Sequence, residues 1–191
     1  MDGDADRCNR LVCADIVIRP ATEVHLDLLT SVDLEDEGTT HPIPGRGDFA
    51  QHRRHIQQML ASDAAAWVAE VEGEAAGIIM CRFRDLSREA PDAANLFLLD
   101  YVPRTTFPRD GRFTEVLQLW VSPTLRRQGI GSLLKRHLET RSRDRDITQI
   151  FTLTEKRNAH VIAMNLALGY RIVQEGPMWD DVVRVALVLA L

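Results

Sequence analysis

Between Glu115 and Gly131 the sequence passes from strand periodicity to helical periodicity across two glycines, and this stretch constrains the fold most. The run Glu115 to Val121 alternates and stops at Pro123, which predicts a strand. Gly129 and Gly131 then open a segment in which Ile130, Leu133, Leu134, His137, Leu138 and Arg141 fall on helical spacing. The first-turn N–H groups of such a helix have no intrahelical partners and sit at the positive end of its dipole. Anions bind there, and a glycine lets a phosphate reach the backbone because no Cβ stands in the way. Arg126 and Arg127 add donors that stay charged. The stretch reads as a pyrophosphate cradle.

The kind of pyrophosphate is narrowed by exclusion. A dinucleotide fingerprint needs a third glycine where Leu134 stands, and a Walker loop needs a Gly-Lys pair that is absent. The rest of the chain supplies bounds. At 191 residues, 45% hydrophobic and 27% charged, it is the size of one soluble globular domain. A net charge of −5 speaks against a nucleic-acid partner, and no apolar run approaches a membrane span. Cys8, Cys13 and Cys81 are odd in number and lack metal-ligand spacing. With an acidic, polar N-terminus, this leads us to expect a cytoplasmic protein with no membrane partner.

Residues 1–14 read as a loose tail and 15–191 as a single domain. Ile16 to Arg19 predicts a strand closed by Pro20. A helix follows, capped by Thr22, with Leu26, Leu28, Leu29 and Val32 on its apolar side. Asp33 to Gly47 reads as a break, acidic first and Pro/Gly-rich afterwards. A second helix is expected from Asp48 to Leu60, with Phe49, His52, Ile56 and Met59 near one face. Its His52-x-x-His55 pair has no third ligand at matching spacing and reads as a polar helix face, so no metal is expected. Trp67–Val71 and Ala75–Phe83 predict a hairpin, with Cys81 a small core residue. Residues 85–113 form a long insertion before the fourth strand, with a lid, a substrate wall and a subunit contact of a homodimer all open to it. Strands at Ile147–Thr154, Tyr170–Val173 and Asp181–Leu189 flank a helix from Asn158 to Leu168 that Gly169 stops. The predicted class is α/β: a mixed sheet flanked by helices.

The pattern Arg126-x-x-Gly129-x-Gly131 resembles the coenzyme A signature of the GNAT acyltransferases. The predicted element order resembles the GNAT fold from about residue 15 to residue 190. Ile18-Arg19-Pro20-Ala21 is similar to the family's opening strand, and residues 68–77 to its second and third strands. Asn158, followed at matching spacing by Gly169-Tyr170, resembles a second family segment.

This resemblance implies acetyl-coenzyme A as acyl donor, and a cofactor site at Leu119, Trp120 and Val121, whose strand offers a backbone N–H to the thioester carbonyl. It also implies contacts from Arg126, Arg127, Gln128, Gly129, Ile130, Gly131 and Ser132, with Asn158 and Asn165 on the next helix. It implies acetyl transfer to a primary amine by direct attack, with Glu115 as the general base. A carboxylate at the strand start suits that role through a water relay, and a solvated strand end is the plain alternative. Asn165 stands where many members carry a tyrosine thought to protonate the leaving thiolate. An amide cannot donate that proton, although it can hydrogen-bond the sulfur, and a non-catalytic acyl-coenzyme A sensor is therefore the competing expectation. Tyr101 is a candidate substitute acid, whereas Tyr170 reads as a packed aromatic. The family's connection between the first two helices borders the acceptor cleft. Here it carries Asp33, Glu35, Asp36 and Glu37, which would draw a cationic small-molecule amine, or simply keep the surface solvated.

Overall fold

The computed structural model describes residues 16–40, 49–88 and 98–191, with backbone alone for 36–40. The expected tail, Cys8, Cys13, the Pro/Gly-rich half of the expected break and the Leu96-Phe97 pair lie outside the described residues. The elements run β1 (Ile16–Pro20), α1 (Leu26–Thr40), α2 (Phe49–Leu60), β2 (Ala64–Val71), β3 (Glu74–Asp85), β4 (Arg112–Val121), α3 (Ile130–Arg143), β5 (Gln149–Glu155), α4 (Ala159–Ala167), β6 (Arg171–Pro177) and β7 (Val183–Ala190). This is the element order expected from the sequence.

Seven strands form one sheet in the order β1-β2-β3-β4-β5-β7-β6. Every neighbouring pair is antiparallel except β4 and β5. Helix α3 seals one face, with Ile130, Leu134 and Leu138 packed among Ile79, Ile150 and Leu187. Helices α1 and α2 cover the first half of the other face, where Leu29 and Ile56 meet Val68, Ile78 and Met80. The second half of that face is covered by the described part of the 85–113 connection. There Leu98, Val102 and Phe107 pack on Phe113, Phe151 and Val188. Phe107 stacks within 4.4 Å of Phe113, so this part of the connection is a layer of the core.

Two expectations are corrected. Residues 33–40 are not a break: α1 runs through them to Thr40. Leu34, Glu35 and Glu37 are good helix formers, and Gly38 costs only about 1 kcal/mol in a helix. Burying one side chain such as Leu29 contributes roughly 1.5–3 kcal/mol, so packing outweighs that local cost. Nor is His52 part of a polar face. It is buried with Ile56, while Phe49 is exposed. Cys81 is buried in the core, as expected.

Candidate functional site

The centre of the sheet contains one irregularity that shapes everything around it. Met80 pairs with Gln118 and Cys81 with Val116, which leaves Leu117 as an extra residue, a β-bulge. Strict alternation would put Glu115, Leu117, Leu119 and Val121 on one face. Instead Leu117 joins Trp120 against α1 and α2, and Val116, Leu119 and Val121 face the α3 layer. Gln118 also points to the α1 side, where its Nε2 donates to Asp33 Oδ1 at 2.9 Å.

The parallel pairing of β4 with β5 ends at this bulge. It runs only from Thr114–Ile150 to Val116–Thr152, although β4 continues to Val121 and β5 to Glu155. Past Val116 the two strands part, and residues 117–121 have no ladder partner on the β5 side. A cavity of about 310 Å³ fills the gap, walled by residues 115–119 of β4 and 152–155 of β5. Lys135 of α3, Asn158 and Val161 close it on one side, with Trp179 and Arg184 on the other.

Beyond the cleft the chain turns into α3 through a strained loop. Arg127 has φ +66° and Gly129 has φ +88°, both left-handed. Left-handed residues in such turns gather successive N–H groups into an anion-binding concavity. A left-handed conformation costs a non-glycine residue such as Arg127 roughly 1–2 kcal/mol, strain of the kind that collects at functional sites. Gly129 is the N-cap residue of α3, and no side chain caps the helix. A Cβ built on Gly129 would meet nothing within 4 Å, so the space above the loop is open to a ligand. At Gly131 a Cβ would lie 3.3 Å from Met164 Sδ, so this glycine lets α3 approach α4. Arg126 turns back and its Nε donates to Val121 O at 3.1 Å, tying the loop to the end of β4. An uncapped helix N-terminus, an open glycine and two exposed arginines fit a pyrophosphate group.

The other expected site residues divide. Glu115 lines the cleft, and its Oε2 accepts a 2.6 Å hydrogen bond from Arg84 Nη1, a side chain only 2% exposed. Asn158 sits at the N-terminus of α4, and its Nδ2 donates to Thr154 Oγ1 at 3.4 Å. Asn165 is fully buried, and neither atom of its amide has a hydrogen-bond partner. Tyr101 packs edge-on against Trp179, with ring centroids 6.1 Å apart. Tyr170 is buried, and burial pushes its phenol up from the ordinary value. The four acids expected in a loop lie on α1 instead. Asp33 is turned inward, with Oδ2 2.6 Å from His52 Nε2, whereas Glu35 is exposed. The side chains of Asp36 and Glu37 lie outside the described residues.

Sequence reasoning missed Arg84, Trp179, Arg184 and Lys135. Arg184 makes a two-pronged ion pair with Asp180, at 2.5 and 2.9 Å, and its guanidinium lies 4.0 Å from the Trp179 ring centre. Lys135 had a legible signal. The buried face of α3 carries Ile130, Leu134, Lys135, Leu138 and Ser142, so a lysine stands on the stripe that packs against the sheet.

A model of the acetyltransferase (GNAT) family matches residues 31–170. The chain belongs to that family. No curated protein matches it in sequence. Among solved structures it is similar to NAA60 of Arabidopsis thaliana in complex with acetyl-CoA, with TM-score 0.64 and 16% identity, covering 92% of this chain and 98% of that one. It is similar to the ribosomal-protein-alanine N-acetyltransferase of Brucella melitensis, with TM-score 0.63 and 19% identity, covering 92% and 99%. It is similar also to yncA of Salmonella typhimurium, solved with its cofactor acetyl-CoA, with TM-score 0.63 and 17% identity, covering 92% and 94%. At these identities the likeness is one of fold, and the GNAT fold is shared over nearly the whole of each chain.

Among the described residues of this GNAT chain, no three His, Cys, Asp or Glu side chains group as metal ligands, and no helix is long and apolar enough to cross a membrane.

Proposed function

We propose that this GNAT chain transfers an acetyl group from acetyl-coenzyme A to a primary amine by direct attack. The observation that carries the reading is the parting of β4 from β5 at the Leu117 bulge, beside the uncapped N-terminus of α3. The loop at 126–131 would hold the pyrophosphate on backbone N–H groups. The unpaired edge of β4 at Leu119 to Val121 would offer a backbone N–H to the thioester carbonyl, where negative charge grows as the amine attacks. Glu115, oriented by Arg84, would accept the proton that the amine loses, directly or through water.

The acceptor side is the end of the cleft walled by Trp179 and Arg184. An exposed indole beside a paired guanidinium gives a flat, partly apolar wall for the carbon body of an amine. Similar structures include ribosomal-protein-alanine N-acetyltransferases, so peptide α-amines belong in the test panel beside polyamines and aminoglycosides.

The competing reading is a domain that binds acyl-coenzyme A without turnover. The feature favouring it is the asparagine at position 165, which has no proton to give as an acid. Thiol release from acetyl-CoA, measured over the amine panel, separates the two. Amine-dependent release supports the transferase. A thermal shift with acetyl-CoA but no release with any amine supports the binding module.

A further inference from the structure

Lys135 is the most unusual charged residue of the cleft. Its side chain leaves α3 on the buried stripe and is 1% exposed. Its Nζ has no hydrogen-bond partner and lies 4.7 Å from the centre of the Tyr170 ring. Lys135 nevertheless lines the cleft between β4 and β5, on the wall shared with Asn158 and Val161. A buried ammonium without a partner is costly, and a methionine of similar length would remove that cost. Such a group persists where it faces a ligand that uses it.

The charged and titratable groups around it come from α3, β4, β5, β7 and the turn after α4. Glu139 lies one turn along α3 and Tyr170 follows α4. Glu115 of β4, Glu155 of β5 and Arg184 of β7 line the same cleft. Of these, Glu155 is paired with Arg157, Arg184 with Asp180, and Glu115 with Arg84. Among the described residues, Lys135 is therefore the charged group of the cleft wall with neither an ion pair nor a hydrogen bond.

We propose that Lys135 is the proton donor to the departing sulfur of coenzyme A. This rests on the acetyl-transfer reading given above. As the amine nitrogen bonds to the acetyl carbon, the carbon–sulfur bond breaks and the electron pair leaves on sulfur. Lys135 gives its proton to that sulfur, and the proton lost by the amine passes to Glu115 or solvent. Lys135 then recovers a proton from solvent, so the sum is one amide and one thiol from one amine and one thioester. Burial supports the direction of transfer. It lowers the Lys135 ammonium from 10.5 to about 7, against the smaller opposing pull of Glu139. A free thiol has a pKa of about 8.5, so the proton moves downhill to sulfur.

The test compares the full-length protein with Lys135→Met. The first readout needs no substrate. Between about pH 7 and 10.5 the unfolded chain holds the Lys135 proton and the folded chain does not, so stability rises with pH in that window. Measured by denaturant titration, the wild-type folding constant should gain about tenfold per pH unit over that of Lys135→Met. The second readout is thiol release with the best amine of the panel. Lys135→Met should lose roughly 10²-fold in kcat, with unchanged KM and thermal shift for acetyl-CoA. The ratio of wild-type to variant kcat cancels the acceptor's own titration and should fall tenfold per pH unit above about 7. Equal kcat values, or a flat ratio, would overturn the role of Lys135 while leaving acetyl transfer intact. A flat stability difference would show a Lys135 charged throughout, and overturn it too. Wild-type protein that releases no thiol with any amine overturns both readings. Should Lys135→Met fail to fold, the wild-type kcat must still fall above pH 7 with an amine already deprotonated there.

Discussion

Asp33 on α1 and His52 on α2 meet inside the protein, with Oδ2 and Nε2 2.6 Å apart. The other oxygen of Asp33 accepts from Gln118, the residue that follows the bulge in β4 and lines the cleft. One carboxylate therefore joins both helices of this face to the wall of the site.

Asp33→Ala leaves the buried His52 without its partner and takes one acceptor from the half-buried Gln118. Leaving a buried polar group without its hydrogen-bond partner costs about 1–3 kcal/mol, and we expect a loss of that order in urea denaturation. Asp33→Asn, which keeps the shape and an acceptor oxygen, should lose less. A loss below about 0.5 kcal/mol for the alanine variant would place this junction in solvent.

Glu115→Gln should lower kcat/KM by roughly 10²–10⁴ if the carboxylate is the base, with the acetyl-CoA thermal shift unchanged. Arg84→Met supplies the control, because it removes the group that aims the carboxylate at 2.6 Å. It should lower kcat as well, by less. Full activity of Glu115→Gln from pH 6 to 9 would reduce this residue to a partner for Arg84.

Gly129 tests the cradle. Its left-handed φ of +88° disfavours any side chain, and valine, branched at Cβ, would add backbone strain of its own. Gly129→Ala is the cleaner change, since its Cβ projects into open space. It should cost about 1 kcal/mol of stability and remove most of the thermal shift that acetyl-CoA gives the wild type. Equal shifts in both proteins would take the pyrophosphate away from this loop.

Cys81 should be chemically silent. Burial pushes its thiol up to about 12, and only a thiolate reacts readily. In a Cys8→Ser/Cys13→Ser background, a thiol reagent at pH 8 should label the native protein slowly and the urea-unfolded protein at once. Fast native labelling would mean that β3 opens on the time scale of the reaction.

The acids of α1 should separate into two kinds. Neutralising exposed Glu35 should leave stability within about 0.5 kcal/mol of wild type, as surface substitutions do, and a second variant neutralises Asp36 and Glu37 with it. If they draw the acceptor, the same variant raises KM for cationic amines, and added salt erodes the difference. An unchanged KM for spermidine at low salt would leave these residues a solvation role only.

Much of this protein is local in the sequence. The strand-to-glycine-to-helix passage at 115–131, the hairpin at Glu72-Gly73 and the helix stop at Gly169 are written in periodicity and turn chemistry, which act over a few residues. They sufficed for the element order and for the glycine loop that opens α3. The faces were not local. Leu117 is an ordinary strand residue until β3 pairs around it, and that one-residue shift carries Leu117 and Gln118 to the α1 side together. The same holds for the partners. Arg84 and Glu115 stand 31 residues apart, and Asp33 and Gln118 85 residues apart, so no pattern within either segment announces the pair. Lys135 lies on a stripe legible in the sequence, but only the packing of α3 over the parting of β4 and β5 decides that the residue ends buried on the cleft wall rather than in water. Burial, pairing and charge environment are properties of the assembled sheet, because each depends on atoms brought together by folding from distant parts of the chain.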